Sequence, residues 1–172
     1  ENPEELLSIS LGSAETTLLN LTSAYSTFVN GGKLVQPILI DRIQDSEGNT
    51  IYNNNLRQCI DCNQISYLSD DYPKIKNNYK QIFSPATAYQ MTSILEGVVQ
   101  RGTGKKLKDL KLNIAGKTGT TNKNTDTWFI GFTSNLLVGV YVGSDNPLPL
   151  GKYETGSKTA LPIFKDFIEK TV

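Results

Sequence analysis

The chain has 172 residues, 38% of them apolar and 20% charged, enough for one ordinary soluble domain with a real core. Its 17 basic side chains match 17 acidic ones, so it lacks the basic excess that nucleic-acid or anionic-membrane surfaces need, and small molecules or peptides fit better as partners. Histidine is absent, which excludes a Ser-His-Asp triad, a His-ligated zinc and an imidazole base built from this chain alone and leaves Lys, Asp, Glu or Tyr as any base.

The first residues, Glu1-Asn2-Pro3-Glu4-Glu5, have neither a methionine start nor the basic start of a signal peptide, and predict an excised piece of a longer protein. No apolar run approaches the roughly 20 residues that span a bilayer. Ala14, Leu18, Leu21, Tyr25 and Phe28 recur at steps of four and three, the stripe of an amphipathic helix over 13–30. Ser13 is its expected cap, and Gly31-Gly32 its left-handed end. Branched residues over 34–43, the turn Asp45-Ser46-Glu47-Gly48-Asn49 and the run Thr50-Ile51-Tyr52 predict a β-hairpin.

Residues 53–81 are polar and Asn-rich, and predict a long, mobile surface excursion. It carries the only cysteines, Cys59-Ile60-Asp61-Cys62, a spacing shared by half a zinc site, redox pairs and short-loop disulfides. A second pair for an all-cysteine zinc site does not exist, and no strand-then-helix context of the thioredoxin kind surrounds this one, so a structural disulfide or inert thiols are the expectation.

Ser84-Pro85 then supplies a cap and a first-turn proline for a second helix through Ala88, Met91, Leu95 and Val98, closed near Gly97 and Arg101-Gly102-Thr103-Gly104. The Gly-Thr-Gly is expected to be a plain loop rather than a phosphate cradle. Strands are predicted over 112–118, 127–133 and 136–143, with connections so short that neighbours must run antiparallel. A last helix starts near Thr159, with Pro162 in its first turn and Leu161, Phe164, Phe167 and Ile168 facing the core. The predicted class is α+β: an antiparallel β-sheet with packed helices.

The segment richest in chemistry is Ala115-Gly116-Lys117-Thr118-Gly119-Thr120-Thr121-Asn122, which sets a lysine, hydroxyls and a side-chain-free glycine at the end of a strand. A strand edge offers backbone N–H groups that can hold a developing oxyanion, and such preorganised donors supply several kcal/mol of transition-state stabilisation. Gly119 leaves room for a substrate to lie along the strand where a β-carbon would intrude. Trp128, a large aromatic within a strand, is assigned to packing. Lys-Thr-Gly is one mark of penicillin-binding proteins and class A β-lactamases. With Asp126-Thr127-Trp128-Phe129-Ile130-Gly131-Phe132 behind it, the segment closely resembles class A bifunctional penicillin-binding proteins. The resemblance extends, in the family's order, to Leu11-Gly12-Ser13, Asn30-Gly31-Gly32, Glu96-Gly97-Val98-Val99, Gly102-Thr103-Gly104 and Gly156-Ser157-Lys158-Thr159-Ala160-Leu161-Pro162.

That resemblance implies a partial serine β-lactamase/penicillin-binding transpeptidase fold, with residues 1–172 the C-terminal portion of the domain. It assigns catalytic roles to Lys117, which supplies positive potential and a bond to a partner motif, and to Thr120, whose N–H is the oxyanion donor. Thr118, Gly119, Thr120 and Thr121 form the substrate-binding set, the hydroxyls of Thr118 and Thr120 holding a terminal carboxylate; Thr121, like Asn122, is also suited to shaping the turn. No cofactor or metal is implied. The implied partners are peptidoglycan stem peptides, β-lactam antibiotics and the upstream part of the same protein. An upstream transmembrane anchor would hold the protein at the periplasmic, extracytoplasmic face of the inner membrane.

The implied reaction is D-Ala-D-Ala transpeptidation by a serine, and the serine is missing: no Ser-x-x-Lys occurs in the 172 residues. Both it and the family's second motif are expected upstream of Glu1, leaving this piece inactive alone. Ser144-Asp145-Asn146 spells the second motif but follows Lys-Thr-Gly, out of the family's order, and reads as an accidental match in a turn. Gly116-Lys117-Thr118 imitates a P-loop ending, yet Lys111 stands where the loop needs its first glycine. Two other readings share the motif: a β-lactam-sensing or inactive binding module, and a D,D-carboxypeptidase or β-lactamase.

Overall fold

The computed structural model describes residues 6–54, 57–59, 74–77, 79–146 and 148–172. A 3-10 turn (Leu7–Leu11) precedes helix α1 (Leu18–Val29), followed by strands β1 (Arg42–Gln44), β2 (Thr50–Asn53), β3 (Arg57–Cys59) and β4 (Ile75–Asn77). Helix α2 (Pro85–Arg101) and a 3-10 helix (Lys105–Leu110) lead to β5 (Ala115–Thr120), β6 (Thr127–Phe132) and β7 (Leu137–Val142), and helix α3 (Ala160–Thr171) closes the chain. The last three strands form an antiparallel sheet in the order β5-β6-β7. This is the expected α+β arrangement of helices on an antiparallel sheet.

Side-chain alternation splits the sheet into two faces. On one, Ala115, Phe132 and Leu137 meet Leu95 of α2 and Tyr25, Phe28 and Val29 of α1. On the other, Phe129, Val138, Val140 and Val142 meet Ala160, Leu161, Phe164 and Ile168 of α3, with Val99, Leu107 and Ile114 closing the cluster. The glycine pair Gly116 and Gly131 lies directly cross-strand. A β-carbon on Gly131 would fall 2.6 Å from the Phe129 ring and 2.7 Å from that of Phe164, so the pair clears space for their edge contact at 4.8 Å between centroids.

Several expected boundaries move. Helix α1 starts a turn late because the Thr17 hydroxyl, not Ser13, accepts from Asn20 N–H. Its end is as expected: Gly31 and Gly32 have φ of 64° and 86°, and the Gly32 carbonyl then accepts from the N–H groups of Ile82 and Phe83, tying α1 to the start of α2. Ser84 caps α2 by accepting from Thr87 N–H. The first hairpin is confined to β1 and β2, since Pro37 has no N–H for a ladder and 34–41 stays out of the sheet. Lys111, left-handed at φ 54°, ends the second 3-10 helix and delays β5 to Ala115. Strand β5 also runs on to Thr120, so Gly119 and Thr120 lie within it rather than past its expected end at 118. In α3, Leu161, Phe164 and Ile168 are buried, but Phe167 is 46% exposed, because it falls on the flank of their stripe.

The excursion is more ordered than its composition suggests where it is described: β3 and β4 pair antiparallel. Cys59 ends β3 and is disulfide-bonded, in keeping with a structural role; Cys62 lies outside the described residues. Large apolar side chains remain in solvent on α1 and α2, among them Leu19, Tyr89 and Ile94.

Candidate active-site wall on strand β5

Strand β5 is an edge of its sheet, and the register shows which of its backbone groups are spent. Thr121 N–H donates to the Asp126 carbonyl at 3.1 Å. Bonded pairs alternate along an antiparallel ladder, so Gly119, Lys117 and Ala115 also bond toward β6, opposite Trp128, Ile130 and Phe132. The N–H groups of Thr118 and Thr120 consequently point away from β6. Among the described residues neither finds a backbone partner on that side.

The side chains divide by the same alternation. Lys117 is exposed on the α1/α2 face, and its Nζ donates to the Thr118 carbonyl at 2.8 Å, which brings the ammonium to the open edge. Gly119 shares that face; a β-carbon there would lie 3.1 Å from Trp128 Cβ, so the missing side chain also lets Trp128 pack across the ladder. Thr118 and Thr120 project from the α3 face. Thr118 Oγ1 lies 2.8 Å from the hydroxyl of Thr103, and Thr120 Oγ1 accepts from Gly156 N–H at 3.0 Å.

Thr121 is committed elsewhere. Its hydroxyl lies 2.8 Å from Thr125 Oγ1 and accepts from the N–H groups of Thr125 and Asp126 at 3.1 and 3.0 Å. Of the two roles open to it, the geometry supports shaping the β5–β6 turn. The same turn is anchored by Asn124, at φ 53°, whose amide donates to the carbonyls of Gly151 and Lys152.

Trp128, expected in the core, is only half-buried. It lies 4.7 Å from the Tyr141 ring on the α1/α2 face, and Tyr141 donates its hydroxyl to Asp126 at 2.7 Å. That bond holds the Tyr141 proton and raises its pKa above the usual phenol value. Ser144-Asp145-Asn146 forms an exposed bend after β7, the strand at the other end of the sheet order from β5. A cavity of about 400 Å³ lined by Glu96, Asn113 and Ala115 lies at the opposite end of β5 from Thr120.

Two contributors escaped the sequence reading, Thr103 and Gly156. Both belong to segments singled out there, Gly102-Thr103-Gly104 and the stretch from Gly156 onward, but periodicity cannot show that loops 15 and 36 residues away from β5 supply hydrogen bonds to it.

Comparison with known proteins settles the family. The Penicillin binding protein transpeptidase domain matches residues 3–169. The chain belongs to the penicillin-binding protein transpeptidase family. Penicillin-binding protein 1A of Rickettsia conorii is 46% identical over 168 residues, covering 96% of this chain and 21% of that protein. Its namesake in Pseudomonas aeruginosa is 34% identical over 187 residues, covering 91% and 23%. The 2.6 Å crystal structure of penicillin-binding protein 1A from Haemophilus influenzae superposes with a TM-score of 0.75 at 30% identity, over 96% of this chain and 28% of that one. Penicillin-binding protein A from M. tuberculosis, solved as an imipenem acyl-enzyme complex, shares the fold at a TM-score of 0.62 and 22% identity. The chain thus spans about a fifth of the length of the curated relatives it matches. No helix among the described residues is long and apolar enough to cross a membrane.

Proposed function

We propose that residues 1–172 are the C-terminal portion of a penicillin-binding transpeptidase domain, and that β5 forms one wall of its acyl-transfer cleft. The complete protein would be a bifunctional class A enzyme, with a glycosyltransferase domain and a membrane anchor upstream, that cross-links peptidoglycan at the extracytoplasmic face of the inner membrane. The observation that carries this reading is the unspent β5 edge: the free Thr120 N–H, the Thr118 and Thr120 hydroxyls and the Lys117 ammonium gathered on one strand of a transpeptidase-family sheet.

In this reading a serine from the upstream portion attacks the carbonyl carbon between the two D-alanines of a stem peptide. Charge gathers on the carbonyl oxygen, and the Thr120 N–H donates to it from a fixed direction with no reorganisation. The C–N bond breaks and the terminal D-alanine leaves as the protonated amine. A second stem's amine then attacks the acyl ester, forming the cross-link and returning the serine. Lys117 stabilises the anionic substrate and the developing charge electrostatically. The hydroxyls of Thr118 and Thr120 hold the terminal carboxylate, and Gly119 lets the peptide, or a β-lactam, approach the strand. Thr121 supports the site through its turn. The 172-residue chain, lacking Ser-x-x-Lys, would take no acyl group alone.

The test uses the complete protein and fluorescent penicillin, followed on a gel. Wild-type protein takes a covalent label. Lys117→Ala slows labelling by about a hundredfold, the scale of losing a preorganised charged contact, while thermal stability stays unchanged, because the Lys117 amine is exposed and, among the described residues, its bond is to its own strand. A folded complete protein that never takes label overturns the reading. Equal losses of labelling and stability would instead assign Lys117 a packing role.

A further inference from the structure

The structure assigns to Thr103 the role of a positioning residue that turns the Thr118 hydroxyl into a directed donor toward a ligand carboxylate at the β5 edge. This deepens, and rests on, the reading of β5 as a substrate wall.

A threonine hydroxyl has one hydrogen to donate and lone pairs to accept with. Left alone in solvent it rotates, and its single hydrogen is shared among competing orientations. Thr120 escapes this, since Gly156 N–H donates into its oxygen at 3.0 Å, leaving the Thr120 hydrogen free to point elsewhere. Gly156 can come this close only as glycine: a β-carbon there would fall 2.6 Å from the Gly119 and Trp128 carbonyl oxygens. Thr118 sits two residues earlier on the same face, and the Thr103 hydroxyl lies 2.8 Å from its Oγ1, able to donate into it as Gly156 N–H donates into Thr120.

Thr103 is not a casual surface contact. The flanking N–H groups of Gly102 and Gly104 both donate to the Val98 carbonyl at 3.0 Å, wrapping the loop on the end of α2. A β-carbon on Gly102 would lie 2.9 Å from Val98 backbone atoms, and one on Gly104 3.2 Å from the Val98 carbonyl oxygen. Close backbone approach thus requires glycine at 102 and favours it at 104, and the residue between them is delivered to β5. Either threonine of the pair can donate. A carboxylate, which only accepts, selects the chain Thr103 to Thr118 to carboxylate, in which each hydrogen bond strengthens the next. The Gly-Thr-Gly motif thereby gains a function that a plain loop does not have.

The experiment measures acylation rates of the complete protein by benzylpenicillin and by its methyl ester, in which the carboxylate is masked. Thr103→Val slows acylation by the acid about three- to tenfold, the scale of one hydrogen bond, leaves the ester rate unchanged, and Thr103→Ser restores the acid rate. Thr103→Val combined with Thr118→Val is no slower than Thr118→Val alone, because the first acts only through the second. Equal slowing of acid and ester, failure of the serine variant to rescue, or losses that multiply in the double variant would overturn the role. If Thr118→Val slows the acid but Thr103→Val does not, this inference alone fails. If Thr118→Val itself leaves the acid rate untouched, the reading of β5 as a carboxylate-binding wall fails with it.

Discussion

The two faces of the β5-β6-β7 sheet are built to different ends. The α3 face is closed: Phe129, Leu161, Phe164 and Ile168 are completely buried, and the one polar side chain among them, Thr127, is satisfied by the Thr159 hydroxyl at 2.6 Å. The α1/α2 face holds a small core near Ala115, Leu95 and Phe132, and then opens toward Lys117, the half-buried Trp128 and the exposed Tyr141. The closed face fixes the strand geometry by dense packing, which tolerates little displacement. The open face and the free edge beside it can then present charge and unspent amides to a ligand without endangering the fold. Stability rests on the closed face, whereas the chemistry proposed for β5 draws on the consecutive residues Lys117 to Thr120 at its free edge.

The comparison breaks hardest at Phe164. Phe164→Ala removes a completely buried ring, and should cost about 3–5 kcal/mol in denaturant unfolding of the complete protein, whereas Lys117→Ala on the open face should leave the unfolding curve in place. Overpacking the same closed face is a milder probe. Gly131→Ala sets a methyl against both phenyl rings and should cost about 1–3 kcal/mol, with penicillin labelling of the fraction that remains folded largely retained. If labelling instead disappears with no change in stability, the division of labour between faces is wrong.

The smallest effect sharpens the view of the open face. Tyr141 titrates above the usual phenol value because Asp126 accepts its proton, with burial adding to the rise. A phenol whose folded pKa is raised adds stability below the normal tyrosine range and loses it as pH climbs through the raised value. Asp126→Asn should therefore bring the Tyr141 transition, followed by phenolate absorbance, back toward 10, and shift the onset of alkaline destabilisation little, since the pair is exposed. An unmoved transition would show that the Asp126 carboxylate does not hold the proton.

Much of this was legible in the residues. Ser84-Pro85 marks the start of α2, Gly31-Gly32 the end of α1, and the stripe of Leu161, Phe164 and Ile168 the buried side of α3, because capping geometry and helical periodicity act within a few residues. The antiparallel meander followed from its short connections, and the strand context of Lys117-Thr118-Gly119-Thr120 from the residues before it. The errors lie where a local rule meets a competitor: Thr17 displaces Ser13 as cap, Pro37 interrupts the branched run before β1, Lys111 delays β5, and Phe167 sits on the flank of a stripe rather than in it.

The amino-acid order by itself determined the α+β class, the family and the strand that bears the Lys-Thr-Gly motif, since these depend on periodicity and on motif residues adjacent in the chain. Only the tertiary structure decided which amides of that strand are free, that the Thr121 hydroxyl serves a turn, and that Thr103 and Gly156 stand behind Thr118 and Thr120. Ladder register and loop-to-strand hydrogen bonds join residues far apart in sequence, and no local pattern encodes the direction in which an N–H or a hydroxyl will point once the sheet has closed.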